Sequence, residues 1–330
     1  MISRGMPRSW SGYAQPYPAS KYYAHAVWLL KDAGPEGNLF NDYFMGGFRG
    51  YWLAPELRAF INGTLNVSAE AMNANRPIRE RRGSAPGEDF PQLLDRLRVD
   101  LFLGIRLPQV ANPNRPWFYT TGHLERTPGW ITVFRNLRSA VYLRANERNR
   151  ANLERVAEYY AREEVPFDPR RGFDPERVIR EASRWAMEHG LVPSHFEALA
   201  AASHTLDFAR RRPARDRLAS LYAALGLYEH AIRLDRRALR AEPADVLTRR
   251  RLVWSLLRLD RATEALQAAE PLAETDWLSH KIAAAARRYA TLEDAGEAAA
   301  LVARLPVFTQ PQAALILSGV VPPERRTGRR

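Results

Sequence analysis

Residues 214–245 (ARDRLASLYAALGLYEHAIRLDRRALRAEPAD) constrain the fold more than any other stretch, because their pattern recurs along the chain. Leu218, Tyr222 and Leu225 fall on one face of a first helix, and Gly226 frees the turn. Tyr228, Ala231, Ala238 and Leu239 line a second helix that Pro243 stops. A shift of about 34 residues, a period that signals helical repeats, sets Leu218 on Leu252, Tyr222 on Leu256, Leu225 on Leu259, Ala231 on Ala265 and Ala238 on Leu272. The second copy keeps packing positions and loses turn markers: Asp260 stands at the Gly226 position, Ala262 at Tyr228 and Trp277 at Pro243. A third, more degraded pair covers 278–305, with Ala298 and Ala299 near the expected helix crossing. One helical pair cannot bury both of its apolar faces, so such pairs stack. Unrelated hairpins remain the alternative for the third copy.

The 330 residues suggest about two domains. Hydrophobic residues at 46% and charged residues at 26% fit an ordinary soluble globular protein. With no cysteine, disulfides, thiolate metal sites and thiol chemistry are excluded. The net charge of +12 rests on Arg, since Lys occurs only at Lys21, Lys31 and Lys281. Acidic residues are interleaved throughout, which disfavours nucleic acid as the partner, and Arg-rich coding bias accounts equally well for the imbalance. No apolar run approaches the roughly 20 residues of a membrane span. The longest early run, 24–30, is interrupted by His25, and the opening 18 residues lack a signal-peptide core. Taken as complete, the chain is expected to be cytoplasmic.

The N-terminal half reads as a small three-layer α+β or α/β domain. A helix is expected over 18–33, a buried strand over 38–41, a second strand over 58–62, and a helix with a loop over 70–86. Residues 90–105 read as helix then buried strand, 118–126 as a short helix, and 130–134 with 140–143 as an antiparallel hairpin. The expected organisation is a flexible segment over 1–17, the α/β domain over 18–145, a helical linker over 146–175, an all-α repeat solenoid over 176–308, and a disordered Arg/Pro-rich tail over 309–330. Helices over 175–190 and 194–212 are candidates for a divergent first repeat anchored by Trp185 and Phe196.

The recurring hairpin resembles a tetratricopeptide unit. Residues 18–145 resemble the soluble extracytoplasmic domain that follows the membrane bundle in bacterial GT-C glycosyltransferase homologues of the dolichyl-phosphate-mannose mannosyltransferase and ArnT-like type, some of which end in such repeats. That second resemblance rests on Asn38-Leu39-Phe40-Asn41-Asp42-Tyr43, on Gly46-Gly47, on Ala59-Phe60-Ile61-Asn62-Gly63, on the Leu94-to-Asp100 step and on Trp130. The family pattern has Asp-Gly-Arg where this chain has Asn62-Gly63-Thr64, and an Asp in the last hairpin turn where this chain has Asn136. The membrane bundle that carries the family's catalytic carboxylate has no counterpart here. The resemblance implies an extracytoplasmic, periplasmic location and an accessory part without catalytic machinery.

Three candidate sites follow. Asn38, Asn41, Asp42, Gly46, Gly47 and Asn62 cluster at a strand end where a sugar or phosphate could approach glycine backbone; helix capping by Asn41 and Asp42 is the favoured alternative. In the repeats, the groove register places Asp216, Ser220 and Ala223 beside Arg250, Trp254 and Leu257. Trp254 with Arg250 has the composition of an anchor for an acidic peptide, against a core role for Trp254. A basic stripe of Arg233, Arg236, Arg237 and Arg240 continues into 249–251 and Arg258. Glu229, Asp235 and Glu242 within helical reach favour a salt-bridged outer face over phosphate contacts. Asp95 and Asp100 flank the helix-to-strand step, and Asp95 is expected to pair with Arg96 or Arg98. The seven His residues lack metal-ligand spacing, and no nucleophile elbow or phosphate loop occurs. The expected activity is non-catalytic binding of a protein partner through the repeat groove, a membrane protein or glycan being among the candidates, with no metal or cofactor. A glycan-contacting part of a glycosyltransferase and a nucleic-acid or anionic-surface binder are the alternatives.

Overall fold

The computed structural model describes residues 22–62, 68–107, 120–272 and 275–321. The chain is a mixed α+β protein of two compact units. One takes the residues up to Arg106, Leu124–Leu191 and those from Val320; the other takes Leu107–His123 and Val192–Gly319. The helices of 175–188 therefore belong with the sheet rather than with the second unit.

The first unit is built on five strands: β1 (Gly37–Phe40), β2 (Leu57–Ala59), β3 (Leu101–Ile105), β4 (Trp130–Arg135) and β5 (Ser139–Arg144), in the order β2-β1-β3-β5-β4. β1 is parallel to both β2 and β3, whereas β5 runs antiparallel to β3 and β4. β3 is an unbroken apolar run, LFLGI, and every residue of it is buried, as a strand covered on both faces requires. Phe40 stacks on Phe102 with ring centroids 4.5 Å apart. Helix α1 (Ala24–Ala33) buries all but Asp32 and the half-buried Lys31.

Trp185 lies on the last turns before residue 190 and packs on Phe134, Tyr160 and Phe173. It is therefore an anchor of the sheet unit and not of a first repeat. The expected helix over 175–190 is two short ones, Pro175–Glu181 and Ser183–Glu188. Described residues 120–126 form turns where a helix was expected; 118 and 119 lie outside the described residues.

The second unit is helical. After Phe196–Ala202, a first hairpin pairs α2 (Phe208–Leu225) with α3 (Tyr228–Ala241), a second pairs α4 (Val246–Arg258) with α5 (Ala262–Ala269), and a third pairs α6 (Trp277–Tyr289) with α7 (Ala295–Ala303). Successive helices pack on one another, and α4 also packs on α6. Gly226 takes the left-handed conformation (φ 85°) that closes α2, as its sequence position implies. At the matching place after α4, Asp260 takes φ 60°, with its Oδ1 accepting from the Tyr289 hydroxyl at 2.8 Å. The turn survives without glycine because Asp tolerates this region better than most residues.

Two expectations are corrected here. The helix expected over 194–212 breaks after Ala202, and α2 begins at Phe208, capped by Asp207, with Pro213 inside it. The tail expected to be disordered from 309 contains α8 (Gln310–Leu317), started by a capping box in which Thr309 and Gln312 exchange hydrogen bonds. Residues 322–330 lie outside the described residues, as do 1–21. α8 returns to pack on α2, and the Ser194 N–H donates to the Gly319 carbonyl at 2.8 Å. Among the described residues no helix is long and apolar enough to cross a membrane.

Candidate functional site

The polar cluster at the end of β1 holds the chain to itself. Asn41 is fully buried; its Nδ2 donates to the carbonyls of Asp42 (2.9 Å) and Ile61 (2.7 Å). Asp42 accepts from the Phe44 N–H at 3.0 Å and so caps the turn at 43–45. Asn38 donates from its N–H to Asp100 Oδ2 (2.9 Å) and from Nδ2 to the Arg98 carbonyl (3.0 Å). A Cβ on Gly46 would lie 2.1 Å from the Ile61 carbonyl oxygen, so glycine is needed there because the Ile61–Asn62 backbone crosses it. Gly47 faces open space, and Asn62 is half-buried. The space a ligand would need beside Gly46 is thus filled by the chain, which corrects the crevice reading. Residues 63–67, with the rest of the Asn-Gly-Thr pattern, lie outside the described residues.

Asp100 is a structural junction. Besides Asn38, it accepts from Asn149 Nδ2 at 3.2 Å and pairs with Arg148 at 2.6 Å, tying β1, β3 and the helix Arg150–Arg162 together. Asp95 pairs with Arg144 at 2.7 Å instead of with a helical neighbour. Asn136 closes the β4–β5 turn: its Oδ1 accepts from the N–H groups of Arg138 and Ser139, while Nδ2 donates to the His189 carbonyl at 2.8 Å. An Asp there could accept but not donate, which explains the amide at this position.

The groove residues meet a similar fate. Trp254 is wholly buried, edge-on to Tyr228 at 5.3 Å and to Phe308 at 6.2 Å. Ser220, Ala223, Arg250 and Leu257 are buried too, and of the six only Asp216 stays half-exposed. Arg250 faces Asp276 at 3.5 Å, and burial lowers its pKa against the pull of Asp276 and Asp245. Phe308 lies against Trp254, and α8 packs on α2. Trp254 is a core residue and not an exposed anchor, because it is wholly buried with the Tyr228 and Phe308 rings against it.

Asp216 and Ser220 serve a different purpose from the one their register suggests. Arg251, buried on α4, donates from Nη1 to Asp216 Oδ1 (2.8 Å) and Ser220 Oγ (2.7 Å) on α2, and from Nη2 to Asp235 Oδ1 (2.6 Å) on α3. Three helices of two hairpins meet at one guanidinium. Burial pushes the Asp235 carboxyl up to about 6, with Arg251 pulling the other way. For Arg251, burial opposes the charge, but the two carboxylates outweigh it and raise its pKa. Asp207, Asp245 and Asp276 cap α2, α4 and α6, the first helix of each hairpin. The Asp-x-x-Thr248 and Asp-x-x-Ser279 patterns, each a cap in which the hydroxyl returns to the carboxylate, were legible.

The stripe on α3 is salt-bridged only in part. The three acids expected to neutralise it pair elsewhere: Glu229 with Arg261 at 3.2 Å, Asp235 with Arg251, and Glu242 with Arg212. Arg236 finds Glu264. Arg233, Arg237 and Arg240 are exposed and form no ion pair among the described residues; Arg233 meets only His230, at 2.8 Å. On α2, burial lowers the pKa of Arg215, and the nearby charges of Arg211 and Arg237 add to the effect. Like charges thus gather on one face of the first hairpin. The stripe does not run on through 249–251, because Arg250 and Arg251 are buried, and Arg258 lies over the Tyr228 ring.

No protein-family model, curated protein or solved structure matches this chain. Among the described residues no group of three His, Asp or Glu side chains converges as a metal site would need.

Proposed function

We propose that this protein is a non-catalytic binding module that holds an anionic partner on the outer face of its first helical hairpin. The observation that carries this reading is the set Arg233, Arg237 and Arg240, exposed and without carboxylate partners among the described residues, while the acids on and just after their own helix pair with other arginines. Three uncompensated cations beside Arg211 and Arg215 create a local positive potential that attracts phosphate or carboxylate groups. We read the three hairpins as tetratricopeptide units, supported by the approximately 34-residue offset and by the buried pairs Leu218/Leu252 and Ala231/Ala265. A protein partner that grips Trp254, the reading first suggested by the register, would have to displace Phe308 from it. The resemblance of 18–145 to an extracytoplasmic glycosyltransferase domain stays part of the proposal, as does a periplasmic location.

The test is binding of the full chain to immobilised heparin across a salt series. Affinity should fall steeply with salt, and joint Arg233→Glu, Arg237→Glu and Arg240→Glu should lower it by about 100-fold, taking roughly 1 kcal/mol per cation at an anionic surface. Unchanged binding by the triple variant would refute the assignment.

A further inference from the structure

The loop before α2 and the first residue of α2 expose two apolar side chains beside the cationic face. Leu206 is 93% exposed and Phe208 56% exposed. A lone surface leucine needs no explanation; this pair differs because the loop carrying it is fastened by the same arginines. Arg215 Nε donates to the Ser203 carbonyl at 2.8 Å, and Arg211 Nη1 to the Thr205 carbonyl at 3.4 Å. The Arg211 guanidinium also lies 5.6 Å from the centre of the Phe208 ring. Asp207, the one acid in the tip, is engaged: it accepts from the Ala209 N–H at 2.9 Å and pairs with Arg210 at 3.4 Å. The apolar tip is thus presented in a fixed shape, with Arg210, Arg211 and Arg215 on the turns behind it.

We propose that the anionic partner is a lipid bilayer, with Leu206 and Phe208 entering the headgroup boundary and Arg211, Arg215, Arg233, Arg237 and Arg240 meeting the lipid phosphates and carboxylates. This rests on the anionic-partner reading above and narrows it. A dissolved polyanion would engage the cations and leave Leu206 and Phe208 in water. A bilayer gives both groups what they lack, since interfacial binding grows with buried apolar area and with attraction to anionic headgroups. Aromatic and aliphatic side chains at a rigid tip lose little freedom on insertion, which favours binding.

The experiment is co-sedimentation of the full chain with vesicles of phosphatidylcholine alone or mixed with phosphatidylserine, run beside the heparin series. The chain should sediment with the mixed vesicles and not with phosphatidylcholine alone. Leu206→Ala with Phe208→Ala should weaken vesicle binding roughly 30-fold, from partial burial of the two side chains, and leave heparin binding unchanged. Both positions are exposed, so the thermal midpoint of this variant should match the parent. The charge-reversed Arg233/Arg237/Arg240 variant should lose both ligands. Vesicle binding that survives removal of Leu206 and Phe208, or heparin binding without vesicle binding, would overturn the bilayer proposal and leave the anionic-partner reading standing. Binding to neither ligand would overturn both.

Discussion

His25 in the sheet unit and Arg251 in the helical unit are both buried side chains able to carry a positive charge, and each meets burial differently. His25 gives up its proton: burial, reinforced by His189, pushes its pKa down to about 3. Arg251 keeps its charge and gathers Asp235 and Asp216 around it. The difference lies in intrinsic basicity. An imidazole can be neutralised for a few kcal/mol, whereas a guanidinium cannot be deprotonated in proteins and must bring counter-charges with it. One unit is therefore made sensitive to acid through this group, and the other is made dependent on a network.

The largest effect should come from breaking the network. Arg251→Ala leaves Asp235 buried without its partner and should cost about 4 kcal/mol, read as a lowered urea midpoint with faster hydrogen exchange in α2–α4. Arg251→Met combined with Asp235→Leu removes both charges and should recover most of that loss. A double variant no better than the single would mean that the network does more than satisfy buried charge.

Acid is the next lever. The unfolded imidazole titrates near 6.5 and the buried one lower, so the unfolded chain takes up the proton first as pH falls. The His25 contribution is complete above about 6.5 and is lost progressively toward 3, amounting to about 3 kcal/mol by pH 4.5. Asp235 acts in the reverse sense. Its folded pKa is raised to about 6, so its contribution is greatest below the unfolded value near 3.9 and diminishes as pH rises through 6. Segment-resolved hydrogen exchange between pH 7 and 4.5 should show the sheet unit opening first, and His25→Gln should flatten that trend. Opening of the helical unit first would reverse the comparison.

The smallest change sharpens the His25 side. A Cβ built on Gly190 would approach both His25 Cε1 (3.0 Å) and Asn136 Nδ2 (3.3 Å), so these side chains are close neighbours. Asn136→Asp should cost about 1–2 kcal/mol at neutral pH by leaving the His189 carbonyl without its donor. The new carboxylate should also favour the imidazolium and weaken the acid sensitivity of the unit, visible as a shallower pH dependence of the urea midpoint.

Much of the element order was readable from local pattern. The β4–β5 hairpin, the buried run of β3 and the left-handed turn at Gly226 each declare themselves within a few residues. What escaped was which faces are covered. Arg249 to Arg251 read as a continuation of the basic stripe, with Arg250 also in the groove, yet Arg250 and Arg251 are buried and paired with acids 16 to 35 residues away in sequence, at Asp276, Asp235 and Asp216. Trp254 reads equally well as core or anchor until Phe308 is known to sit against it. The capping box at Thr309 was legible, and Pro/Arg composition masked it. The exposed tip at Leu206 gave no signal, since a helix was expected to run through it.

The hydrogen bond between Ser194 and Gly319 bears on how this array could change its length. Tandem helical hairpins ordinarily grow or shrink by duplication and loss of a unit, because each touches only its neighbours. Here α8 packs back on α2 and the two ends of the helical unit meet at that backbone contact. Insertion of a fourth hairpin would carry α8 away from α2 and part Ser194 from Gly319. The number of hairpins is thereby fixed, as in a belt with its buckle at one hole.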